Sequence, residues 1–407
     1  MNTEPDVLII GAGPAGACAA ANLRNAGHSV TLVERSTFPR FVIGESLLPQ
    51  CMDLLEEAGL LEAVENAGFR RKDGAFFTHR GHTAVFHFAQ RFSEGYDYTY
   101  QVERERFDTL LAETVQDQGA ELHYQTSVQD VDFGPERPQV VCTHPDSGES
   151  VFTPRFILDA SGYGRVLARK LNLDRPTDFP SRTAVFSHFD QDNRNGPWDA
   201  SHILIAIHPD KPGVWYWVIP LSGTVCSVGV VGDTSALELE GSSPEETLHR
   251  LIHETPCVRD RVGRAKTTRP VQQQTGYSSS VSRLYGDTFA LLGNASEFLD
   301  PVFSSGVTVA MKSASLASRA LIRQFRGEQV DWEADFSEEL LKGVDVFRTY
   351  VNGWYTGEFP NILYYPDKPE KFTPMICSIL AGYVWDHTNP FVTKHRKRFE
   401  ALSAICS

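Results

Sequence analysis

The sequence predicts an α/β protein: a Rossmann-like unit interleaved with a mixed β-sheet domain and followed by C-terminal helices. Three observations lead there. First, Asp6-Val-Leu-Ile-Ile10 is a short apolar strand that runs directly into Gly11-Ala-Gly13-Pro-Ala-Gly16. The alanine-rich residues 17–26 read as a helix closed by Gly27, and residues 28–33 as the next strand, ended by Glu34. Strand, glycines, helix, strand and terminal acid in this order form a dinucleotide-binding fingerprint. Second, similar apolar strands ending in turn residues return at residues 154–159 and 288–292. Third, residues 181–276 switch to alternating strands and broad loops. The expected division is a first part of the nucleotide-binding unit at 1–80, an excursion into the second domain at 81–100, a second part at 101–180, the second domain at 181–276, a third part at 277–340 and a C-terminal helical cap at 341–407.

Composition narrows the function class. With 407 residues, 41% hydrophobic and 22% charged, the chain is globular rather than disordered and long enough for two or three domains. Its formal charge of −14 argues against nonspecific nucleic-acid binding. No apolar run reaches membrane-spanning length and the start lacks a basic leader, so a cytoplasmic location is expected. Seven cysteines without a close pair indicate a reduced chain, and the spacing of His79, His82 and His87 matches no strong metal signature, so no metal is expected.

Within the fingerprint, Gly11, Gly13 and Gly16 allow a pyrophosphate to approach the helix amides, and Glu34 is placed to hydrogen-bond an adenosine ribose. The next segment, Phe38-Pro-Arg40-Phe-Val-Ile-Gly44-Glu45-Ser46-Leu-Leu-Pro49, is too polar and turn-rich for a routine crossover strand. Residues 50–67 then read as an amphipathic helix broken near Gly59. Lys72 precedes Gly74-Ala-Phe76, which taken alone describes a solvated strand end. Val102-Glu-Arg104-Glu-Arg106-Phe107-Asp108 leads into a helix, and Asp159-Ala-Ser-Gly162 ends a strand in a glycine-containing turn. Trp215-Tyr-Trp217-Val-Ile219-Pro220 is an aromatic strand. Gly293-Asn-Ala-Ser-Glu-Phe298-Leu-Asp300-Pro301-Val-Phe-Ser304-Ser305-Gly306, running into Val307-Thr308, reads as strand, turn and helix. Such a junction offers free backbone N–H groups to an anion, with Asp300-Pro301 restricting the entering backbone and Gly306 permitting close approach.

Together these motifs resemble the flavin-dependent halogenases, within the FAD-dependent monooxygenase-like superfamily, over most of residues 5–325. Arg40-x-x-Ile-Gly-Glu-Ser-Leu-x-Pro, Trp-x-Trp-x-Ile-Pro and Phe-x-Asp-Pro-x-x-Ser-x-Gly carry the resemblance. It implies FAD held by the fingerprint glycines with Glu34, Arg40, Ser46, Arg104, Asp159, Gly293, Asn294, Pro301, Gly306 and Val307. It also implies chloride or bromide near Ser305, Gly306 and Thr308. Trp215, Trp217, Ile219 and Pro220 would form a wall that keeps the organic substrate from the flavin, and Lys72 would stand exposed beside the substrate pocket. The expected reaction uses molecular oxygen and reduced FAD from a separate flavin reductase. A flavin C4a-hydroperoxide oxidises halide, and Lys72 directs the hypohalous acid onto a phenol, pyrrole or other electron-rich ring, free or tethered to a carrier protein. Asn294 departs from the commoner Gly-Asp-Ala pattern, losing a charge while keeping an acceptor. The alternative left open is a halogenase-like FAD-dependent monooxygenase, dehydrogenase or reductase without halogenating activity. The aromatic C-terminal residues are expected to pack as a helical cap over the pocket.

Overall fold

The computed structural model describes residues 3–134, 136–177, 179–190, 198–367 and 370–406. Its nucleotide-binding unit is built on a six-stranded sheet in the order Tyr285–Gly286, Phe289–Leu291, Phe156–Asp159, Val7–Ile10, Val30–Val33, Glu121–His123. All neighbouring strands are parallel except the first pair. The four residues of Val7–Ile10 and of Val30–Val33 are all buried, as expected for parallel strands covered on both faces, which explains continuous apolar runs rather than alternation. The helix Pro14–Asn25 starts with proline at its first turn and packs against the long helix Ser305–Phe325. Small residues on both allow the close approach, and the Ser318 hydroxyl reaches the carbonyl of Ala19 at 3.5 Å.

The second domain is an eight-stranded sheet. Seven strands run in the order Lys266–Thr267, Thr183–Asp190, Cys226–Gly232, Trp215–Pro220, His202–Ile207, Gly74–His79, His82–His87, and Gln272–Thr275 also pairs with Thr183–Asp190. Gly74–His79 enters this sheet parallel to His202–Ile207, so the chain leaves the nucleotide-binding unit before residue 81, the point at which the sequence reading placed the crossing. The pairing partner lies some 130 positions further along the chain, which local pattern does not reveal. The sheet separates two apolar cores. Trp215, Trp217 and Ile219 face the larger one, whereas Tyr216 and Val218 face a smaller one filled by Leu248, Leu251 and Ile252 of the helix Pro244–Glu254. The period-two alternation of a strand sorts these residues.

The helices Glu339–Thr356, Glu358–Tyr364, Thr373–Leu380 and His395–Ile405 complete the chain. Trp354 packs against Phe77, Trp215 and Phe303, with ring centroids 6.0 to 6.3 Å apart. The expected C-terminal helices are present, and none of them lines the large cavity described below. They fill the space behind its aromatic wall, because their own large apolar residues need a partner surface. Among the described residues, no helix is long and apolar enough to cross a membrane.

Candidate functional site

A cavity of about 600 Å³ runs between the two sheets. Gly11 and Gly13 open one end, beside the helix Pro14–Asn25, whose first N–H groups lack intrahelical partners. Gly11 has φ +98°, and a side chain there would meet the Ala160 carbonyl. Gly16 does not line the cavity. A Cβ at that position would collide with the Gly11 carbonyl, so its role is to let helix and strand pack closely. Glu34 lines the cavity and accepts hydrogen bonds from the N–H groups of Ala12 at 3.1 Å and Ser36 at 3.0 Å. Arg40 reaches across to Asp108 at 3.2 Å and stands 3.8 Å from Glu34.

Further along, the loop from Phe41 to Ser46 forms one side. Arg104 holds it: its guanidinium is fork-bonded to Asp108 at 2.7 and 2.9 Å and donates to the Ile43 and Gly44 carbonyls. Burial opposes the charge of Arg104, but the Asp108 carboxylate overrides it and leaves the guanidinium above its ordinary pKa. Glu45 is 1% exposed and faces the cavity. One of its oxygens meets His188 Nε2 at 2.8 Å; the other, like the hydroxyl of Ser46, has no protein partner. His188 had no sequence signal, since the pair joins positions 143 apart.

The far end is bounded by Phe186, Ile203, Ile205, Trp217 and Ile219 from the second sheet, and by Phe298, Pro301, Ser304, Gly306 and Val307 from the strand-turn-helix junction. Trp215 and Pro220 are not part of this wall. The Trp215 indole donates to the Tyr355 hydroxyl at 2.9 Å, and Pro220 lies on the alternate face of its strand. At the junction, Ser304 adopts the left-handed conformation, φ +56°, and is the serine that faces the cavity; Ser305 is buried behind it. Thr308 is also turned away, its hydroxyl 3.2 Å from the Cys51 thiol. Gly293 and Asn294 line the cavity, and the Gly293 N–H donates to Ser313 at 2.9 Å. Asp159 does not reach the cavity. Its carboxylate accepts from the N–H groups of Ser161 and Leu167 and so fixes the Ala160–Gly164 loop, which does.

Lys72 departs most from expectation. It ends the strand Arg70–Lys72 but is 1% exposed, and it does not line the cavity. Its ammonium donates to the Leu47 carbonyl at 2.7 Å and sits 5.4 Å from the Phe88 ring centroid. Burial pulls its pKa from the ordinary 10.5 down to about 7, opposed by the neighbouring Cys51. Because Ser46 lines the cavity while Leu47 binds Lys72, and Val307 lines it while Thr308 binds Cys51, these two pairs of adjacent residues form the partition between cavity and amine. The solvated reading failed because the Leu47 loop, the Phe88 ring and Cys51 of the helix Gln50–Glu57 surround this position. Among the described residues, no group of three or more His, Cys, Asp or Glu gathers that could hold a metal ion.

Comparison with known proteins gives this arrangement a class. The FAD-binding domain family model matches residues 4–339. A flavoprotein/dehydrogenase from Cytophaga hutchinsonii superposes with TM-score 0.96 at 42% identity, covering 99% of this chain and 98% of that one. The protein is thus a flavin-dependent oxidoreductase. A 1H-pyrrole-2-carbonyl peptidyl-carrier-protein chlorinase from Pseudomonas fluorescens is 30% identical over 382 residues, covering 88% of this chain and 83% of the relative. The structure of the flavin-dependent brominase Bmp2 superposes with TM-score 0.86 at 25% identity over the whole of both chains. The chain belongs to the flavin-dependent halogenase family.

The residues fit FAD. Gly13 leaves a cradle beside Arg40, Glu34 presents a carboxylate at the end of the second strand, and Glu45 and Ser46, each with a buried side-chain oxygen that lacks a protein partner, belong to the lining.

Proposed function

We propose that the protein halogenates an electron-rich aromatic or heteroaromatic compound, with Lys72 as the group that delivers the halogen. The observation that carries this reading is the state of Lys72: a buried amine next to a flavin-sized cavity, its pKa lowered by burial to about 7, so that much of it is neutral near neutral pH. A neutral amine has the lone pair that electrophilic halogen requires, which arginine could not offer.

Reduced FAD from a partner reductase supplies oxygen activation and the oxidation of chloride or bromide to the hypohalous level. The chain's own residues do the rest. The backbone around Ser305 and Gly306, with Ser304 beside it, gives the halide an N-terminal helix site. Trp217, Ile219 and Phe186 keep bulky organic molecules off the flavin. The Lys72 nitrogen takes halogen from hypohalous acid with loss of water, then passes it to the ring as the ring's proton returns to nitrogen. The acceptor is a phenol or pyrrole-like ring, free or carrier-bound; the name of the chlorinase relative gives a carrier-bound pyrrole for that protein.

A second reading is favoured by one observation: Lys72 lies behind the Ser46–Leu47 and Val307–Thr308 partition rather than in the cavity. An enzyme that never opens this partition would oxidise or reduce its substrate at the flavin without halide. The deciding experiment supplies the protein with FAD, a flavin reductase, NADH, oxygen and bromide, and screens phenols and pyrroles by mass spectrometry. Brominated product that disappears in Lys72→Met supports halogenation. Substrate oxidation independent of bromide and of Lys72 supports the second reading.

A further inference from the structure

One hydroxyl joins, from behind, the two segments that carry walls of the cavity. Tyr355, in the last turn of the helix Glu339–Thr356, accepts a hydrogen bond from the Trp215 indole at 2.9 Å and donates one to Asp300 at 2.8 Å. Trp215 belongs to the strand whose Trp217 and Ile219 line the cavity. Asp300 heads the turn Pro301–Phe303, which leads through left-handed Ser304 into the helix Ser305–Phe325; Pro301, Ser304 and Gly306 line the opposite wall.

The junction is fully bonded. Asp300, 1% exposed, also accepts from the Val302 N–H at 3.0 Å and from the Tyr277 hydroxyl at 3.3 Å, and the Arg182 guanidinium lies 3.3 Å from the Tyr355 ring centroid. A buried hydroxyl that accepts on one side and donates on the other has a fixed direction, so it fixes the separation of the groups it joins. Tyr355 lies beyond the segment matched to the FAD-binding family, residues 4–339.

We propose that Tyr355 is a positioning residue that sets the gap between the aromatic wall and the 301–306 turn, and thereby which molecules reach the flavin. The consequence for halide rests on the halogenation reading; the gap itself does not. Without the hydroxyl the two walls part. Water and larger solutes then reach the flavin, and reduced FAD gives two electrons and two protons to oxygen as hydrogen peroxide instead of transferring oxygen productively.

The test compares wild type with Tyr355→Phe, which keeps the ring over Arg182, and with Trp215→Phe, which removes the other bond of the same junction. FAD-loaded protein is used, with reductase, NADH and oxygen. Quenching of FAD fluorescence by iodide and the peroxide formed per reduced flavin consumed should both rise at least about twofold in each variant, with FAD affinity retained, and the KM for bromide should rise about fivefold. If wild type forms no brominated product, the bromide measurement drops out and the halogenation reading fails. Quenching and peroxide yield still decide the positioning role. Should Tyr355→Phe fold poorly, Trp215→Phe must show the leak by itself. Unchanged quenching and peroxide yield in a folded, FAD-loaded variant overturn the proposal.

Discussion

Two buried cations, Arg104 and Lys72, stand on either side of the Ile43–Leu47 loop and are treated in opposite ways. Arg104, 6% exposed, has a carboxylate fork-bonded to its guanidinium and two loop carbonyls on its remaining nitrogen. Lys72, 1% exposed, has a single carbonyl and an aromatic ring beneath its ammonium. The first charge is compensated and its pKa stays above the ordinary value; the second is not, and its pKa falls to about 7. Paired burial of charge builds a rigid loop. Burial without a counter-charge costs stability and leaves a reactive nitrogen, the pattern expected where chemistry rather than packing keeps the residue.

The largest effect should come from removing the reactive member. Lys72→Met is expected to lower halogenation by about a thousandfold, equivalent to about 4 kcal/mol of transition-state stabilisation, with FAD affinity unchanged. Lys72→Arg should not restore activity, because the guanidinium stays charged. Product formation and FAD titration of both variants check this; a fully active arginine variant would end the nitrogen-transfer idea. Arg104→Met strikes the compensated member. It leaves Asp108 buried with Arg40 as its remaining ion-pair partner and frees the Ile43–Gly44 carbonyls, so unfolding stability should fall by about 3 kcal/mol and FAD binding should weaken with it. Denaturant titration and FAD binding measure the two losses.

The same contrast has a pH signature. The folded-state pKa of Lys72 lies below its unfolded value, so between about 7 and 10.5 the unfolded chain binds more protons and stability rises with pH across that window. Below pH 7 the whole penalty is present; above 10.5 it is gone. Lys72→Met should therefore be more stable than wild type at pH 7, by on the order of a few kcal/mol, and the difference should shrink toward pH 10. Turnover through the free amine should rise through pH 7 and level off. A rate that falls across this range would show that the ammonium, acting as a hydrogen-bond donor, is the working form.

How much of this was readable beforehand depended on chain distance. The fingerprint from Val7 to Glu34 is contiguous, and hydrophobic runs, glycines and the terminal acid report directly on parallel strands and a phosphate-facing turn. The direction of Trp217 and Ile219 follows from alternation along one strand. What could not be read required the packing of distant segments. Lys72 is buried by Leu47 and Phe88, Glu45 meets His188, and Tyr355 meets Trp215 and Asp300 from 140 and 55 positions away. The motif also did not show which of two adjacent serines faces the cavity. The left-handed turn at Ser304 decides that, and a left-handed serine leaves no pattern in composition or spacing.

Smaller effects sharpen the comparison within the cavity itself. Glu45 belongs to the cavity lining and keeps one buried carboxylate oxygen without a protein partner, so Glu45→Gln keeps the shape and replaces the carboxylate by an amide. Binding of reduced, anionic FAD should tighten about three- to tenfold while that of oxidised FAD changes less, which would shift the midpoint potential of the bound flavin upward. Potentiometric titration reads the shift, and an unchanged potential would leave Glu45 with only its bond to His188.

The smallest effect is expected at Asn294, an amide where the sequence resemblance leads one to expect a carboxylate. It lines the same cavity as Glu34 and Glu45, and its backbone carbonyl is 3.5 Å from the Arg165 guanidinium. Asn294→Asp would add a third carboxylate to the lining and keep the acceptor oxygen. Arg165 already serves Asp174, so little free positive charge is left to reward the change. The FAD dissociation constant should therefore move by less than about threefold, within 1 kcal/mol. A tenfold tightening would show that the missing carboxylate had a binding partner on the flavin itself, and that this chain holds its cofactor more loosely as a consequence of Asn294.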